Sequence, residues 1–171
     1  MNHSDNSGRT MVEMMGVLVI ISTFIITAVI GYQNAKSKHT ANVAFKDTNI
    51  IATRLALAKN QANLTPDQNS GSLANITISL ADYPNYKNAG IKVNFKGDIK
   101  ACHQFEQMNK NKVDFATANK CDENFTVCLV PEYVDLTAQS DCHITNNCYF
   151  KYNGQKTSET AQSIANTLCG I

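Results

Sequence analysis

From Met14 to Ile30 the chain reads MMGVLVIISTFIITAVI, and 22 consecutive uncharged residues separate Glu13 from Lys36. At about 1.5 Å rise per residue, a helix of that length crosses a hydrocarbon core of about 30 Å. The pattern then changes. Val43, Ile50, Ile51, Leu55, Ala58 and Ala62 recur at mixed four- and seven-residue steps, with Lys46, Asn49, Thr53 and Lys59 opposite. This predicts an amphipathic continuation of the helix, whose apolar stripe needs a sheet or neighbouring helices to cover it. Asn63-Leu64-Thr65-Pro66 and the polar run DQNSGS end it. Short β-type runs follow at Ile76–Leu80, Ile91–Phe95, Phe125–Val130 and Cys148–Tyr152, the last turning through Asn153-Gly154 into Gln155-Lys156. Cys102–Lys110 reads as a short helix. A second short helix has Ser158 as its N-cap, Ala161, Ile164, Ala165 and Leu168 at helical spacing, and Gly170 as its stop. The expected fold class is α+β. A long N-terminal helix, half transmembrane and half amphipathic, packs on a small antiparallel sheet with disulfides.

All six cysteines lie beyond residue 101: Cys102, Cys121, Cys128, Cys142, Cys148 and Cys169. An even set confined to one region points to as many as three disulfides in an oxidising compartment, and six cysteines allow 15 pairings. A bond such as Cys148–Cys169 would fasten the C-terminal segment to the sheet. No close C-x2-C pair presents two zinc ligands from one turn, so no metal is expected. Lys and Arg total 15 against 14 Asp and Glu, a net charge of +1. That balance argues against nucleic acid as the main partner.

The N-terminal apolar run is longer than the 7–15 residues of a secretory signal, and no small-x-small cleavage site follows it. Counting flanking charges sets Arg9 against Lys36 and Lys38, which would place the C-terminal part in the cytoplasm. Six clustered cysteines argue the opposite and outweigh two or three charges. Glu13 is out of place in an ordinary anchor. An ionisable group among Met11, Val12, Met14 and Met15 is a functional feature, or an interfacial carboxylate paired with Arg9 four residues earlier.

The run Gly8-Arg9-Thr10-Met11-Val12-Glu13-Met14-Met15-Gly16-Val17-Leu18 resembles the N-terminal signature of type IV pilins and type II secretion pseudopilins. The resemblance implies a leader over residues 1–8 and a transmembrane and filament-core helix over 9–35. An amphipathic continuation over 36–63 and a disulfide-rich pilin-like head over 64–171 complete the chain. It implies cleavage between Gly8 and Arg9 by a prepilin peptidase, which also methylates the new amino terminus. Glu13 then becomes the fifth mature residue and meets the Arg9 amine of an adjacent copy. The implied partners are other copies of the chain or other pilins in a helical filament, the peptidase, and inner-membrane assembly machinery. The implied location is the bacterial inner membrane with the head in the periplasm, then a cell-surface pilus. Arg9 stands where the family usually has Phe or another apolar residue. The leader offers His3 and Asp5 in place of Lys or Arg, and Ile30-Gly31 occupies a region where many members have Pro.

Two further readings remain open. One is a pseudopilin of a type II secretion or DNA-uptake apparatus. The other is a membrane-anchored, disulfide-rich binding protein. No GxSxG, P-loop, GxGxxG or HExxH motif occurs, and the expectation is a non-enzyme without a cofactor. His103 and His143 read as surface residues. Asp122, Asp135 and Asp141 are too scattered for an EF-hand. Tyr83, Tyr86 and Tyr133, beside Pro84 and Pro131, read as loop packing or a contact surface.

Overall fold

The computed structural model describes residues 6–57, 75–110, 115–133, 148–152 and 154–171, with the side chains of 6–10, 56, 57 and 133 left out. Helix α1 (Asn6–Leu57) is followed by β1 (Thr77–Tyr83), β2 (Tyr86–Asn94), α2 (Ile99–Asn109), β3 (Phe115–Lys120), α3 (Cys121–Asn124), β4 (Thr126–Tyr133), β5 (Tyr149–Tyr152), β6 (Gln155–Thr160) and α4 (Ala161–Cys169). By internal contacts the chain forms two compact units, Met1–Lys36 and Ser37–Ile171. The expected α+β architecture is the observed one: a long apolar N-terminal helix, a small antiparallel sheet against its C-terminal part, and disulfides.

Within the second unit the strands run β1-β2-β4-β5-β6, and β3 also pairs with β4; every pairing is antiparallel. β4 is the central strand. Val127, Cys128, Leu129 and Val130 are all buried, a continuous apolar run covered on both faces. Val127 and Leu129 belong to one core, shared with Ala41, Ala44, Ala52 and Leu55 of α1 and Phe105 of α2. Cys128 and Val130 belong to the other, shared with Phe150 and with Ala161, Ile164 and Ala165 of α4. The alternation of side chains along one strand thus separates two helical layers.

The face that α1 buries matches the expected stripe in part. Leu55 is buried and Ile51 packs half-buried against the core, but Val43 is half-buried and Ile50 is 46% exposed, and Ser37, Thr40, Ala41, Ala44, Thr48 and Ala52 are buried in addition. Small side chains let the helix backbone approach the sheet, and Phe95, Phe105, Ile91 and Leu129 supply the bulk. The expected positions Ala58, Lys59 and Ala62, and the linker after them, lie outside the described residues.

Strand β3 had no clear signal in the sequence. Its inward residues are Ala116 and Ala118, which carry little β preference, and six residues of pairing with β4 hold the strand in place. The last helix begins later than Ser158 suggests. Thr160 is the N-cap, and its hydroxyl accepts from the Ser163 amide at 3.2 Å, because β6 continues through Thr160. Gly170 closes the helix in the left-handed region with φ +76, as expected.

Gly90 is required by close approach. A Cβ there would stand 2.8 Å from the Leu129 carbonyl oxygen, 2.8 Å from Leu168 Cδ1 and 3.0 Å from Val130 Cγ2. The first of these belongs to the central strand and cannot give way. Gly90→Ala is therefore expected to cost about 1–3 kcal/mol by overpacking, read as a lower denaturation midpoint of the oxidised chain in detergent. An unchanged midpoint would mean that β2 and β4 part locally, and α4 with them, at little cost.

Candidate functional site

The first unit carries the residues singled out in the sequence. Gly8, Arg9 and Glu13 all lie in α1. Every residue from Met11 to Lys36 is exposed, and the apolar window of this helix has mean hydropathy 2.5 with none of it buried inside the protein. Among the described residues this is one helix long and apolar enough to cross a membrane, which points to a membrane-anchored chain. Its polar side chains suit an apolar surrounding. Ser22 donates to the Val19 carbonyl at 2.8 Å, Thr23 to Ile20 at 2.7 Å, and Thr27 to Thr23 at 2.7 Å. Each hydroxyl is thus satisfied within the helix, as a low-dielectric medium demands. Glu13 is an exposed carboxylate among Met11, Val12, Met14 and Met15. Its expected alternative partner, the Arg9 side chain, lies outside the described side chains.

In the second unit, Cys102 is bonded to Cys121 and Cys128 to Cys169, with Cα separations of 5.6 and 5.7 Å. Cys169, and with it the C-terminal helix, is therefore fastened to β4 rather than to Cys148. Cys148 is itself disulfide-bonded. Cys142 lies outside the described residues, as do His143, Asp135 and Asp141.

The carboxyl of Asp98 ties α1 to α2. It accepts from the buried Ser37 hydroxyl at 3.0 Å and from the Ala101 amide at 3.0 Å, which makes it the N-cap of α2. An Asp three residues before Ala101 is a capping signal that could have been read from the sequence. The sequence could not show Ser37 as its partner, since 61 residues separate the two.

His103 sits between two carboxylates. Its Nε2 is 3.0 Å from Asp122 Oδ1 and its Nδ1 is 3.4 Å from Glu106 Oε2. Hydrogen bonding to Asp122 and then to Glu106 raises its pKa above the ordinary 6.5, against a small opposing effect of burial. Cys121 Sγ lies close to His103 and Glu106. That sulfur is committed to the disulfide with Cys102, so the three do not form a thiolate metal site.

At the β1–β2 turn, Asp82 accepts from the Asn88 amide at 2.7 Å and from Lys87 Nζ at 3.1 Å. The Asn88 bond chiefly, and then Lys87, holds its carboxyl below the ordinary value. Tyr83 and Tyr86 are half-buried beside this turn. Their rings stack at 6.0 Å, and Tyr86 meets Phe150 and Tyr152 edge-on, each at 5.3 Å. They pack two hairpins together, which is the loop-packing reading of these residues. Tyr133 lies in β4, with its side chain outside the description.

Comparisons of the chain with protein-family models, with curated proteins and with solved structures found no match.

Proposed function

We propose that this chain is a structural subunit of a type IV pilus-like filament, processed after Gly8 and assembled through the N-terminal half of α1. The observation that carries the reading is an apolar stretch of α1 in which every residue from Met11 to Lys36 is exposed and which holds one carboxylate, Glu13. A helical segment that buries nothing within its own chain must be covered by lipid or by other helices. Between helices that are already in lipid, apolar contact adds little, and a carboxylate facing an amine supplies both attraction and register. By its resemblance to the pilin signature, Glu13, the fifth residue after Gly8, would face a neighbour's new amino terminus. The head, tied by disulfides, forms the outer surface of the fibre and carries its contacts with other molecules.

The test is the intact mass and N-terminal sequence of the chain from cells that contain a prepilin peptidase, taken separately from sheared surface material and from membranes. The expected species begins at N-methylated Arg9 and appears in the sheared fraction. A processed chain confined to the membrane fraction would favour the pseudopilin reading. A chain that still begins at Met1 in every fraction would sink the filament reading and leave a membrane-anchored binding protein.

A further inference from the structure

Helices α2 and α3 are joined by two adjacent rungs. The first is the buried Cys102–Cys121 disulfide. One residue further along each segment, His103 meets Asp122 at 3.0 Å. On its other side the ring faces Glu106, one turn along α2, whose second carboxylate oxygen accepts from Asn119 Nδ2 of β3 at 2.7 Å. The imidazole thus bridges α2 and α3, and β3 reaches it only through Glu106.

A neutral imidazole has one donor nitrogen and one acceptor nitrogen, and a carboxylate only accepts. In that form His103 bonds one of its two carboxylates and presents a lone pair to the other. The imidazolium donates to both. The arrangement is therefore complete only when His103 is charged. An isolated exposed ion pair contributes little, because two flexible side chains must be ordered to make it. Here the neighbouring disulfide already orders the backbone under His103 and Asp122, which lowers that cost.

We propose that His103 is a pH-sensitive latch, which when protonated clamps α3 onto α2 and when neutral releases it while the disulfide keeps the segments together. The other charges nearby do not compete. Lys120, at the end of β3, pairs with Glu123 of α3 at 2.8 Å. The β4 segment from Thr126 to Pro131 carries no charge. From α1 comes Lys38, which lies beside Gln104, Gln107 and Met108 of α2. Asp122 and Glu106 are the charges that act on the ring. The sign follows from linkage. The folded state favours the imidazolium, so the stabilisation is fully present below the unfolded value near 6.5 and is lost as pH rises through the raised folded value.

The test uses the full oxidised chain in detergent micelles. Amide protection factors for Cys121–Asn124, corrected for intrinsic exchange, are measured at about pH 5.5 and at a pH above the His103 midpoint read from its ring-proton titration. Protection should fall roughly two- to fivefold at the higher pH, the size expected of an exposed pair. His103→Gln should remove the dependence without unfolding the head, since the side chain is 40% exposed. In a ring-proton titration of the same sample, Asp122→Asn should move the His103 midpoint downward. Equal protection at both pH values in the parent chain, a dependence that survives in His103→Gln, or a midpoint indifferent to Asp122→Asn would each overturn the proposal.

Discussion

Replacing Glu13 by Val is expected to abolish filaments while leaving the protein in the membrane and the head folded. Glu13 is an exposed residue of the unit Met1–Lys36 and belongs to neither core of the second unit. Membrane insertion should improve slightly, because a carboxylate leaves an apolar helix. The loss falls on association alone. In the filament proposed above, removal of the carboxylate strands a neighbour's buried amine, and breaking one side of such a pair costs about 3–5 kcal/mol. That is roughly a 10²- to 10⁴-fold weaker contact for every subunit added. The measurement is the amount of chain in the sheared fraction relative to membranes. Unchanged filaments in Glu13→Val would show that register comes from elsewhere on the helix.

The companion variant Arg9→Phe separates the two candidate partners of Glu13. It keeps the new α-amine and removes the guanidinium. Assembly should survive if the amine of a neighbour is the partner, and should fall with that of Glu13→Val if the Arg9 side chain is. Arg9 and Glu13 are four residues apart on α1, the spacing at which a helix brings two side chains together.

The parts of this protein that were legible in its sequence are those where a local signal and the tertiary environment agree. The apolar run after Glu13 has one physical solution, a long helix, and α1 is that helix. Strands β1, β2 and β4 carry β-branched residues where the sheet buries them, as at Ile91, Val93, Val127 and Val130. The features that sequence alone did not reveal are tertiary. Ala116 and Ala118 are poor strand formers, and pairing with β4 overrides their preference. The buried stripe of α1 is built mostly from Ser, Thr and Ala, with Leu55 near its end, because closeness to the sheet matters there more than side-chain bulk. Val43 and Ile50 looked more apolar and were displaced from it. Cysteine pairing is set by which strand passes under which helix, and no spacing rule carries that information. The cluster around His103 joins residues 3 and 19 apart, so only the first of its contacts has a helical signature. The candidate assembly residues are the reverse case. Gly8, Arg9 and Glu13 are a one-dimensional motif, and their proposed partners belong to other chains.

Removal of the Cys128–Cys169 bond is expected to be the most destabilising change in the head. α4 has nine residues, too few to hold a helix without tertiary support. Its buried face consists of Ala161, Ile164, Ala165 and Cys169, of which Ile164 is the bulky one. The disulfide holds the helix at its C-terminal end, next to Leu168, which packs against the same core. It spans a sequence separation of 41, and in the chain-entropy model a loop of that size is worth about 4 kcal/mol. The Cys102–Cys121 bond spans 19 and should be worth about 3 kcal/mol. The two double variants, Cys128→Ala with Cys169→Ala and Cys102→Ala with Cys121→Ala, leave no odd thiol to mispair. Denaturant unfolding of each in detergent should give the larger loss for the first. Ala116, Ala118, Val130 and Phe150 lie in the core that α4 shares, so proteolysis should then cut first at the C-terminal helix. The opposite order would mean that α2, with Phe105 packed between Phe45 and Phe95, depends on its disulfide more than α4 does. In that case the head is organised from the α1 side of the sheet, and α4 is an accessory layer that the head can lose without losing its fold.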